Sequence, residues 1–137
     1  MVFTPLNYDD GQLVSMSFAA SITVLKGSAL ADDTNGLLTN ASGGQGTDVT
    51  HVAMETVTTG SSTGDLVLCI RTQGTVFEAD TDANPAQTDV LTYVDLAGAA
   101  SINPNAVADG LFFLEGIVGA VGDQKVRGWF VHGATNS

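Results

Sequence analysis

The stretch Leu13–Val24, "LVSMSFAASITV", decides the fold. Val14, Met16, Phe18, Ala20, Ile22 and Val24 fall at every second position. A period of two sets all six side chains on one face of an extended chain, the signature of a half-buried strand. Helical spacing of three and four is hard to find anywhere in the chain.

Outward from this stretch the pattern repeats. Sixteen glycines, with abundant Ser and Thr, punctuate the chain at short intervals. "DDTNG", "SGGQG", "TTGSSTGD" and "SINPNA" read as turns. Between them lie short β-type runs: "GLLTN", "THVAMETV", "DLVLCIRT", "TVFEA", "VLTYVDL", "LFFLEGIV" and "KVRGWFV". "NPNAVADG" has room for one helical turn and nothing longer. About eight short strands in one small domain predict an all-β barrel or sandwich.

The first eleven residues read differently. Pro5, Asn7, Asp9, Asp10 and Gly11 interrupt any long strand, while Val2, Phe3, Leu6 and Tyr8 are apolar and lack an obvious partner. These residues read either as a frayed terminus or as an extended N-terminal arm at residues 1–11, ordered when it docks on a neighbour, followed by a β domain at 12–137; the arm is the reading adopted. Val2, Phe3, Leu6 and Tyr8 are the candidate contact residues. Removing the arm is expected to leave a folded domain that binds its partner poorly.

Composition narrows the function. At 137 residues and 14.0 kDa the chain is one domain with room for a real core. Charged residues are only 14%, well under the usual level of about 25%. A sparsely charged surface leaves space for apolar patches and hence for partners. Fifteen acids against four bases give a net charge of -11, and Lys26, Arg71, Lys125 and Arg127 are scattered. A phosphate backbone needs clustered bases, so direct nucleic-acid binding is not expected. The single cysteine, Cys69, excludes an internal disulfide and reads as a buried, inert thiol. "MVFTPLNYDDG" has no export features, and "LFFLEGIVGAV", interrupted by Glu115, is too short to span a bilayer.

The candidate chemical sites are weak. Asp80, Asp82 and Asn84 alternate like the first ligands of a calcium loop. Position six of that loop is Pro85 instead of Gly, and position twelve is Leu91 instead of Glu. His51 and Glu55 share a strand face but stand about 13 Å apart, too far for one metal. "GGQG" at residues 43–46 lacks the Lys-Ser/Thr of a phosphate loop and reads as a flexible tip. Trp129 and Phe130 close the last strand as core. The expectation is a binding protein without catalysis, metal, cofactor, membrane contact or small-molecule substrate.

The succession "VLKGSALADDTNGLLTNAS", "HVAMETV", "GDLVLCIRTQGTVFEADTDANPAQTDVLTYVDL" and "FFLEGIV…KVRGWFV" resembles small capsid decoration (cement) proteins of tailed bacteriophages. The matching points are Lys26-Gly27, Gly64-Asp65, Phe77-Glu78-Ala79 and Val94-Asp95-Leu96. The resemblance implies a small β-barrel or β-tulip-like domain on the capsid exterior, made in the host cytoplasm. It further implies a homotrimer at threefold positions, bridging subunits of the major capsid protein, with an N-terminal arm in the contact. The alternative is a carbohydrate- or receptor-binding β-module, using Tyr93 or Trp129 and calcium at the Asp80 to Asn84 loop.

Overall fold

The computed structural model describes residues 2–43, 48–120 and 122–132. Alternation at Leu13–Phe18 becomes strand β2, but it stops there. Ser21 takes the left-handed region at φ 56°, which turns the chain before β3 (Thr23–Val24). The other strands are β1 (Phe3–Asn7), β4 (Ala29–Asp32), β5 (Leu38–Asn40), β6 (His51–Ala53), β7 (Val57–Thr58) and β8 (Asp65–Arg71). They continue with β9 (Val76–Asp80), β10 (Thr92–Gly98), β11 (Ser101–Asn103), β12 (Phe112–Val118) and β13 (Lys125–Phe130). Among the described residues there is no α-helix, only two single 3-10 turns at Asp10–Gln12 and Gln87–Asp89. The protein is all-β, as the punctuation of the sequence predicts.

Two layers share the core. Strands β2, β5, β4, β6 and β8 close a small barrel. Against it lies a six-stranded sheet in the order β1-β9-β13-β12-β10-β11. Barrel strands are buried on both faces where they meet the sheet, and the period of two sorts their side chains. Leu30, Ala53, Val67 and Cys69 point into the barrel with Phe18, Val24 and Leu38. Their neighbours Ala29, Ala31, Val52 and Ile70 point out and pack on Phe3, Phe77, Phe112 and Phe130 of the sheet. Ala29 N–H also donates to Ala99 O at 2.8 Å, tying barrel to sheet through the backbone.

Several expectations need correction. "THVAMETV" is two strands, β6 and β7, because the latter leaves the barrel to pair with β3. Strands β1, β4 and β11 were not anticipated: β4 reads "ALAD", too short and too uniformly apolar to alternate. "NPNAVADG" forms no helical turn. It is a loop laid over β10 and fastened by the Asp95 carboxylate, which accepts from the N–H groups of Ala108, Asp109 and Gly110 at 3.2, 2.8 and 2.8 Å. Residues 44–46 of the glycine-rich tip lie outside the described residues.

In this structure residues 3–7 of the expected N-terminal arm at 1–11 lie against the domain expected at 12–137. Phe3–Asn7 is the edge strand of the sheet, antiparallel to β9, with Phe3 opposite Ala79. Phe3 N–H donates to Gly27 O at 3.0 Å, and its ring packs on Phe77, Phe112 and Phe130 with centroids 5.1–6.4 Å apart. Pro5 does not forbid this, since an edge strand tolerates a missing donor.

Candidate functional site: the outer face of the six-stranded sheet

The side of the sheet turned away from the barrel is built by parity. In β13, Val126, Gly128 and Phe130 point inward, so Lys125, Arg127 and Trp129 must point out. Trp129 is therefore not core: it is 36% exposed, while Phe130 is buried. In β12 the same rule sends Phe113 and Glu115 outward, and in β10 it sends Tyr93, 54% exposed.

Register then brings the outward rings together. Tyr93 lies opposite Phe113, and Phe113 opposite Trp129. Tyr93 and Phe113 centroids are 4.9 Å apart at 59°. Phe113 and Trp129 are 4.8 Å apart and stacked at 27°. Such cross-strand aromatic pairs contribute about 0.5–1.5 kcal/mol each. Continuing the pairing of Gly128 with Phe77 by one residue sets Trp129 opposite Val76. Between them opens a recess of about 270 Å³, lined by Gly74, Thr75, Val76, Trp129 and Phe130.

The other half of this face is charged. Arg127 donates to Glu115 at 2.9 Å, and Lys125 to Asp80 at 2.7 Å. The hydrogen bond to Asp80 is the main reason the Lys125 ammonium holds its proton above its ordinary range. Both pairs are solvent-exposed, so each is worth at most about 1 kcal/mol. Two of the chain's four cations thus stand here against Glu78, Asp80 and Glu115, which makes this face nearly neutral on a molecule of charge -11.

The sequence-predicted residues are dispersed. Of the contact candidates, Phe3 is core, Val2 packs half-buried beside it, and Leu6 and Tyr8 are exposed at 49% and 47%. Leu6 and Tyr8 flank Asn7, whose side-chain Oδ1 accepts from Val76 N–H at 2.7 Å. They therefore stand at the same end of the sheet as the recess. The Asp80 to Asn84 segment is held as structure: Asp80 is engaged by Lys125, Thr81 Oγ1 donates to Ala83 O, and Asp82 N–H donates to Ile102 O. Among the described residues no three His, Cys, Asp or Glu side chains gather at metal-binding range. His51 lies opposite Arg71 across the β6–β8 pair and does not meet Glu55 in any hydrogen bond or ion pair among the described residues. Cys69 is buried, and burial pushes its thiol up to about 12.

Sequence reasoning missed Phe113, the middle ring. The signal was present in "LFFLEGIV": of two adjacent phenylalanines in a strand, one must face out.

Comparison with known proteins returns a fold. A barrel closed against a six-stranded sheet is the class of small all-β module to which the chain belongs by architecture. Among solved structures it is similar to the head fiber gp8.5 N base of bacteriophage phi29, with a TM-score of 0.56 and 16% identity. The match covers 87% of this chain and 94% of that one. No family model and no characterised sequence matches the chain.

Proposed function

We propose that this chain is a structural protein of a phage virion, carried on the exterior of the head, where it acts by binding and not by catalysis. The observation that carries this reading is the fold likeness to a phage head fiber base over nearly the full length of both chains. The sequence resemblance to capsid decoration proteins supports it from an independent direction. In the finer form of the proposal the protein is a homotrimer that bridges major capsid protein subunits at threefold positions.

The physics of such a binder is simple. One standard contact of about 800 Å² per partner takes about an eighth of the 6418 Å² surface. Several such contacts made by one trimer multiply modest affinities through effective concentration. The binding site exists only on the assembled shell, so occupancy stabilises assembly by mass action.

The contact is assigned to Leu6 and Tyr8, the exposed apolar side chains at the end of β1, with the half-buried Val2 at its start. Phe3, held in the core, takes no part. Leu6→Asp with Tyr8→Ala tests this by co-sedimentation with assembled heads. A tenfold or greater loss of binding by a variant that melts like the parent is expected. Undiminished binding would remove β1 from the contact, and failure of the parent to bind any assembled head would overturn the reading as a whole.

A further inference from the structure

Three rings in a ladder cover one another. Phe113 lies against one face of the Trp129 indole and leans on Tyr93 with its other side, so inner faces are spent inside the ladder. No other ring among the described residues stacks on the second face of Trp129, and this side chain forms one wall of the recess with Gly74–Val76. Gly74 stands there in the left-handed region at φ 81°, with no side chain to fill the space. Thr75 is already committed: its hydroxyl donates to Arg71 O and accepts from Gln12. Among the described residues Asn7 is committed only through its Oδ1, which leaves its amide N–H donors for a ligand beside Val76. Gln73, next to Gly74, is exposed.

We propose that the recess between Trp129 and Gly74–Val76 is a glycan-binding site, taking a neutral sugar ring stacked on the free face of the indole. Three observations select this occupant. The first is size: at about 270 Å³ the recess sits just below the range of about 300–1,000 Å³ of sites for larger ligands, so it suits one or two sugar units. The second is area. Trp129 and Tyr93, at their exposures, offer on the order of 200 Å² of ring surface, against about 800 Å² per partner for a stable protein contact. The two rings by themselves fall short of a protein contact, whereas a sugar ring needs no more. The third is charge: the cations beside the ladder are paired with Glu115 and Asp80 on a molecule of charge -11, so nothing attracts an acidic polysaccharide. The C–H face of a pyranose carries slight positive charge toward the negative π-face of the indole, and its hydroxyls meet amide donors at the edge. The site goes beyond head attachment.

Trp129 is the only tryptophan in the chain, so its fluorescence reports this site alone. The probes are cellotriose and N,N′,N″-triacetylchitotriose, with trigalacturonic acid as the charged control. We expect at least one neutral trisaccharide to shift Trp129 emission saturably with a Kd on the order of 1 mM, and trigalacturonic acid to have no effect. Saturation-transfer NMR on the sugar protons should give the same answer without relying on tryptophan. That signal should vanish in Trp129→Ala and in Val76→Arg, which fills the recess from β9, and should persist in Tyr93→Ala. Variants are compared only where their melting temperatures match the parent. The proposal is overturned if neither neutral sugar binds, or if binding survives both Trp129→Ala and Val76→Arg. It is equally overturned if the emission shift follows protein concentration alone and light scattering shows that a second copy covers the indole.

Discussion

Gly128 is the position where one atom matters most. A Cβ built there would lie 1.9 Å from Phe113 O and 2.7 Å from a Phe112 ring carbon. Neither the β12 backbone nor the packed ring can yield cheaply, so Gly128→Ala should cost about 3 kcal/mol or more, read by chemical denaturation. It should also blur the aromatic ladder, since Trp129 is the next residue. Loss of near-ultraviolet circular dichroism from the stacked rings would accompany the lower midpoint. Cys69 is the opposite case, fixed but chemically silent. Its thiol sits on the barrel interior with Glu55 adding to the effect of burial, so the reactive thiolate is scarce at any ordinary pH. A thiol reagent at pH 8 should leave the native protein unmodified and label it stoichiometrically once denatured. Rapid labelling of the native state would mean that the barrel opens on the timescale of the assay.

Strand β1 joins the fold through a side chain that the sequence alone assigned to a partner. Phe3 fills a cluster with Phe77, Phe112 and Phe130, and Phe3→Ala should cost about 3–5 kcal/mol. Deleting residues 1–11 should be worse, because β9 would lose its β1 neighbour as well. A truncated chain that folds like the parent would return β1 to the status of an arm. The reason for the misreading is physical. Pro5, Asn7 and the acids after it are legitimate strand breakers in a central strand but harmless on an edge, and edge position is not written in local sequence. The runs at β8, β9, β10, β12 and β13 were legible because each is a β-type stretch of five to seven residues set between turn signals. β4 was not, since burial on both faces erases alternation. Trp129 and Tyr93 were visible as aromatics, but their union through Phe113 depends on strand register, which only the assembled sheet supplies. The Asp95 clasp was equally hidden: its carboxylate serves N–H groups thirteen to fifteen residues away. Asp95→Ala should release the 105–110 loop at a cost of about 2–3 kcal/mol, seen as faster hydrogen exchange at Ala108, Asp109 and Gly110.

At the scale of the whole molecule, titratable groups gather at a junction of barrel and sheet. His51 on β6 lies opposite Arg71 on β8, and His132 follows β13 of the sheet. The Thr72 hydroxyl donates to Val49 O at 2.7 Å and accepts from His132 Nε2 at 2.8 Å, bridging the two layers. Burial holds the pKa of His51 below its ordinary 6.5, with Arg71 and then His132 adding positive charge that opposes a further proton. The folded protein therefore keeps His51 neutral at a pH where the unfolded chain binds a proton. By linkage, its contribution to stability is fully present above about pH 6.5 and is lost as pH falls through the lower folded value. The thermal midpoint should accordingly drop as pH falls below about 6.5. His51→Gln, which keeps an amide nitrogen near Thr50 Oγ1, should flatten that slope without lowering the midpoint at pH 7.5 by much. A slope unchanged by the substitution would move the acid sensitivity away from this junction and onto the chain's carboxylates.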